Sequence, residues 1–192
     1  MAMLSAAGIA CADPCDLDVP RFEPTLATVA TSHPRSTRVP RTIEVELAGF
    51  ATRAEAAKCF GRRYHELRRA EYITAIVQVG EGWGYLTPGK GGRNVRKVAT
   101  APLFEAYRAA GFRLFALAHT HPYGTPHFSD VDLAAMLKAG SGEFYMTNWR
   151  NETWRMDATM VSDQLEARAW RANERGVRRL ARHLGFEGER VE

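Results

Sequence analysis

The chain is poor in cysteine: Cys11, Cys15 and Cys59 are the only three in 192 residues. An odd number with no metal-finger spacing excludes a zinc-finger scaffold. Cys59 falls on the inward face of a helical pattern, where a small apolar core role is expected. No apolar run is long enough to span a membrane. No Gly-Lys-Ser/Thr follows the glycines of Pro88-Gly89-Lys90-Gly91-Gly92-Arg93, and that stretch opens no helix. It therefore reads as a mobile loop rather than a phosphate cradle. No aromatic-interleaved basic motif marks a nucleic-acid reader, and no internal repeat is visible. Neither sign of charge dominates, since 26 Lys and Arg against 22 Asp and Glu give a net charge of +4. The surplus is arginine on helical faces (Arg62, Arg63, Arg68, Arg69, Arg175, Arg178, Arg179, Arg182). A solvated helix surface is the plain reading of those runs, and a patch for an acidic partner the sharper one. What remains, 45% hydrophobic and 25% charged, suits one globular domain with a real core.

Pro14, Pro20, Pro24, Pro34 and Pro40 interrupt residues 1–41, which read as a leader or linker that wraps the domain. Its start has a short apolar run and an Ala-x-Ala at Ala10 to Ala12, as at the end of a signal peptide, but no positively charged n-region. A clipped export signal, a lipoprotein-like leader and a disordered start stay open, and with them cytoplasm or export.

Residues 42–160 read as the domain proper. Ile43, Val45 and Leu47 alternate with polar residues as a half-buried strand. Thr52-Arg53-Ala54-Glu55 is a capping box opening a helix with Ala56, Phe60 and Leu67 on one face. Glu71 to Val79 reads as a central strand, and Gly80-Glu81-Gly82 turns it into a second one, Trp83 to Thr87. Asn94 to Val98 reads as a strand, and Leu103 to Ala110 as a helix closed by Gly111. Phe144 to Thr147 and Thr153 to Met156 pair around Asn151-Glu152. Residues 161–192 read as a last helix, capped by Ser162 or Asp163 and running to about Leu184. The order of elements gives an α/β (α+β) class, a mixed sheet flanked by helices.

The chemistry concentrates between Phe112 and Ala139. His119 and His121, two apart on a strand, leave it on the same side. Two imidazoles on one face are half of a site for a borderline metal such as zinc. After the turn containing Pro122, Gly124 and Pro126, Ser129 stands where a helix N-cap belongs, and Asp132 falls in that helix's first turn. Asp132 can then point back at the strand end. Two histidines, one carboxylate and an open position for water make a catalytic zinc arrangement. His127 reads as a loop residue. A metallo-β-lactamase motif is excluded because Tyr123-Gly124 follows Pro122, and an amidohydrolase barrel needs roughly 250 residues.

His119-x-His121-Pro122, then six residues, Ser129, two residues and Asp132, resembles the signature of the JAB/MPN metalloproteases, whose metal-binding members are called JAMM proteases. The resemblance covers roughly Thr52 to Asp157. It implies a JAB/MPN-like, cytidine-deaminase-like fold and Zn2+ held by His119, His121 and Asp132. It also implies a general base at the start of an earlier strand, which is Glu71 by position, and an oxyanion-supporting serine, Ser129. Glu66 and Glu81 are weaker candidates for the base. The pattern departs at Thr74, where the family carries Gly. The implied activity is a zinc metallopeptidase cleaving an isopeptide bond to a ubiquitin-like protein or a peptide bond in a protein or peptide substrate. A catalytically inactive JAB-like binding or scaffold module is the alternative. Glu71-Tyr72, Tyr85-Leu86-Thr87-Pro88, Phe128-Ser129 and Tyr145-Met146-Thr147 resemble a bacterial JAB-like group often attached to secreted or polymorphic-toxin proteins, which implies a bacterial effector setting.

Overall fold

The computed structural model describes residues 15, 26–28, 38–65, 70–91, 100–121, 128–166 and 188–192. Its strands are β1 (Leu26–Thr28), β2 (Arg38–Pro40), β3 (Val45–Phe50), β4 (Tyr72–Val79), β5 (Gly82–Leu86), β6 (Gly89–Lys90), β7 (Ala116–Thr120), β8 (Glu143–Thr147), β9 (Thr153–Asp157) and β10 (Glu189–Arg190). Among the described residues four helices accompany them: α1 (Arg53–Tyr64), α2 (Thr100–Ala109), α3 (Asp130–Ala139) and α4 (Ala158–Glu166). The class is mixed α+β, a mixed sheet flanked by helices. No described helix is long and apolar enough to cross a membrane.

β4 is the hub. One edge pairs antiparallel with β7, while the other is shared between β6 at Tyr72 and Ile73 and β5 from Ile76 to Val79. β7 and β8 run parallel, joined through α3, and β9 and β10 follow antiparallel. Alternation divides the side chains between two cores. Ile73, Ala75, Leu117, Phe144 and Met146 pack with Leu103 and Tyr107 of α2 and Leu133 and Met136 of α3. Tyr72, Ile76, Ala116, Ala118 and Tyr145 pack with Ala56, Cys59 and Phe60 of α1. Helix α1 starts at the expected capping box: Glu55 N donates to Thr52 Oγ1 at 3.1 Å, and Glu55 Oε2 accepts from Thr52 N at 3.3 Å. Helix α2 closes at Gly111 with φ +87°.

Several expectations are corrected. Gly89 and Lys90 are not mobile loop but strand β6, bridging β2 and β4. Glycine fits closely there, since a Cβ would lie 2.7 Å from Leu103 Cδ2 and that side chain would have to shift. Cys59 is buried in the α1 core, yet it is disulfide-bonded to Cys15. Within residues 1–41, β1 pairs with β2 and β2 pairs with β6, so residues 26–28 and 38–40 contribute to the sheet. The last helix starts at Ala158 rather than after Ser162 or Asp163, because Asp157 Oδ1 accepts from Met160 N at 2.8 Å and supplies the cap. Residues 189–190 return as β10. Cys11, Leu67, the strand expected over 94–98 and the helix beyond Glu166 lie outside the described residues.

Candidate metal centre

β7 delivers both histidines to one end of the sheet. His119 is its penultimate residue and 4% exposed. His121 follows the strand and is held by its backbone, His121 N donating to Thr147 O at 2.8 Å along the parallel β8. Helix α3 delivers the carboxylate. Ser129 and Asp132 cap it reciprocally: Asp132 N donates to Ser129 Oγ at 3.2 Å, and Ser129 N and Oγ donate to Asp132 Oδ2 at 2.7 and 2.8 Å. Ser129 is thus the N-cap, as the sequence predicts, and it also orients the carboxylate.

The three side chains converge. His119 Nε2 lies 2.9 Å from His121 Nε2 and 3.4 Å from Asp132 Oδ1, and His121 Nε2 lies 3.7 Å from Asp132 Oδ2. A tetrahedral ion with donors at about 2.1 Å spaces them about 3.4 Å apart. One ligand atom from each residue lies within 4.8 Å of the others, so this group could hold a metal ion. The chemistry of the donors fits as well. Tyr145 O, a carbonyl, sits 3.0 Å from His119 Nδ1 and can only accept, so Nδ1 carries a hydrogen and Nε2 is the donor turned to the site. The His119 ring stacks on Phe144 at 4.5 Å between centroids, which fixes its plane. Burial disfavours charge on His119, but the Asp132 carboxylate, with help from Glu71 and the Tyr145 carbonyl, outweighs it and raises the pKa above the ordinary value. Burial works against charge on Asp132 too, and there His119, His121 and the Ser129 amide prevail, holding the carboxyl well below its usual range. A proton on His119 Nε2 would occupy the position a metal takes, so binding there releases it.

Glu71 stands just before β4. The β4–β7 register pairs Ile73 with His119. Continued by two residues, it sets Glu71 across from His121 and on the same face. Burial pushes the Glu71 carboxyl up to about 7, with His119 lowering it and Asp132 raising it. Its carboxylate has no hydrogen-bond donor among the described residues. Its backbone is held firmly: Glu71 O accepts from Gly91 N at 2.7 Å, and Tyr72 N donates to Thr120 Oγ1 at 3.1 Å.

The predicted residues His119, His121, Asp132, Ser129 and Glu71 thus share one end of the sheet. Glu81 does not join them, because it is an exposed residue of the β4–β5 turn at the other end of β4. Glu66 and His127 lie outside the described residues. Thr74 is fully buried, and its hydroxyl donates to Leu86 O where the edge of β4 changes partner from β5 to β6, so it closes the split in the sheet. Three contributors escaped the sequence reading: the Tyr145 carbonyl, the Phe144 ring and Thr120. Only Thr120 leaves a trace in sequence, as a polar residue on a strand between two predicted ligands. No family model, curated protein or solved structure matches the chain.

Proposed function

We propose that this protein is a zinc-dependent peptidase of the JAMM type, resembling the JAB/MPN family in fold and site, with an isopeptide or peptide bond of a protein or peptide as its substrate. The observation that carries the reading is a three-donor group with a half-buried carboxylate, Glu71, on the same face and without a donor among the described residues. Zinc bound by His119, His121 and Asp132 would polarise the scissile carbonyl and make water a better nucleophile. Glu71, whose carboxyl burial raises to about 7 in the metal-free fold, can take the proton from the attacking water and hand it to the leaving amine, the task of a general base that becomes a general acid. The Ser129 hydroxyl, mounted on the α3 cap, gives its one hydrogen to Asp132 Oδ2; turned from that carboxylate towards the substrate, it would support the developing oxyanion. The Cys15–Cys59 bridge supports an oxidising compartment and hence export.

The test is hydrolysis of an isopeptide-linked ubiquitin-like dimer and of a quenched peptide library, by zinc-loaded, chelated and Glu71→Gln protein. Cleavage of either probe only by the zinc-loaded protein with Glu71 intact is the expected result. Stoichiometric zinc with neither probe cleaved would favour the inactive binding module instead.

A further inference from the structure

We propose that Thr120 is a positioning residue that ties the general base to the metal ligands; the inference rests on the role given to Glu71 above. Strand alternation turns Thr120 away from the face shared by His119 and His121, so it is no ligand. It is 1% exposed, in the core between β7 and α1. Its hydroxyl accepts from Tyr72 N at 3.1 Å. Glu71 C=O and Tyr72 N–H belong to one peptide unit, and that unit is clamped at both ends. Gly91 N–H donates to the carbonyl at 2.7 Å, and the Thr120 hydroxyl receives the amide hydrogen.

A clamped peptide plane fixes the direction in which the Glu71 side chain leaves the backbone. Among the described residues the bonds that hold Glu71 are those of its backbone. The clamp also has a particular origin. Thr120 is covalently joined to both histidines, so any shift of β7 that moves the ligands moves the anchor of Glu71 with them. A β-branched residue suits the task because its χ1 is stiff, and a buried amide needs an acceptor in any case. Thr120 thus keeps the base in register with the metal rather than with the far edge of the sheet.

The experiment compares the zinc-reconstituted full chain with Thr120→Val, which keeps the shape but loses the acceptor, and Thr120→Ser, which keeps the acceptor. Zinc content, kcat and KM on the isopeptide-linked dimer, and amide hydrogen exchange at Tyr72 are measured for each. Thr120→Val is expected to keep its zinc and its KM while kcat falls about 10- to 100-fold, the scale of a small misplacement of a reacting group. Tyr72 exchange should accelerate at least about tenfold, and Thr120→Ser should restore most of both. Unchanged kcat and exchange in Thr120→Val, or a Thr120→Ser variant as impaired as Thr120→Val, would overturn the assignment. If Thr120→Val does not fold, Thr120→Ala is read in the same way. If the wild type does not cleave the dimer, that failure belongs to the proposed function, and Tyr72 exchange decides alone: faster in Val and restored in Ser supports the clamp, unchanged overturns it.

Discussion

Glu46 and Glu71 are both inward-turned carboxylates raised by burial, and they keep very different company. Glu46, on β3, meets the end of α1. The Tyr64 hydroxyl lies 2.7 and 2.8 Å from its two oxygens, and Arg63 Nε lies 3.8 Å from one of them. The hydroxyl's one hydrogen, shared between the two oxygens, and the Arg63 charge answer it, so it fastens β3 to the helix. Glu71, before β4, has a clamped backbone and no donor on its carboxylate among the described residues. Glu71 is half-buried, and a carboxylate partly withdrawn from water resists ionisation unless a donor or a cation answers it. It persists here beside two histidines and an aspartate that are placed to receive a cation. One carboxylate is bonded within the fold, and the other has no donor among the described residues.

Substitution by glutamine should separate the two most sharply. Glu71→Gln is expected to cut turnover about 10²- to 10⁴-fold, the usual contribution of a positioned general base, with the metal retained. Glu46→Gln should leave turnover within about threefold and lower stability by about 1–3 kcal/mol, the cost of disturbing a buried hydrogen bond, read from denaturant unfolding. Equal losses of turnover in both variants would erase the distinction.

The disulfide sharpens the contrast from the structural side. Cys15 and Cys59 are 44 residues apart, and opening a loop of that size costs about 4 kcal/mol in the chain-entropy account. Cys59 lies in the same core as Tyr64, so Cys15→Ser should lower the unfolding midpoint while the zinc-loaded folded protein keeps any turnover the wild type shows. A smaller effect concerns pH. Glu71 holds its proton up to about 7 when folded but only to about 4.3 when unfolded. Between those values the folded state binds more protons, so its share of stability is present at the lower end and is lost as pH rises towards 7. In metal-free protein, Glu71→Gln should flatten that part of the stability profile, measured as wild type minus variant. An unchanged difference across the range would contradict the burial of Glu71.

The site was legible because its pattern is local. His119 and His121 obey strand alternation, and the Ser129–Asp132 spacing announces a helix start, so strand, turn and helix follow from a short stretch of sequence. Glu71 is more distant, and its place came from resemblance together with the opening of an apolar strand. What stayed hidden depends on tertiary pairing. Gly89 and Lys90 look like loop until the close approach of Leu103 is seen. Cys15 and Cys59 carry no spacing signal. Asp157 lies just past the strand expected over Thr153 to Met156, and its role as the cap of α4 shows only in the fold. Thr120 looked incidental between two ligands, since nothing local shows that the Tyr72 amide needs it.

The central claim is that His119, His121 and Asp132 hold a metal that Glu71 serves without ligating. The most direct test is the metal content of folded, zinc-supplied wild type beside Glu71→Gln and His121→Ala. About one zinc per chain is expected in the first two, as for a three-ligand site with an open position, with far less in His121→Ala. No zinc in well-folded wild type, or equal zinc in all three, would contradict it.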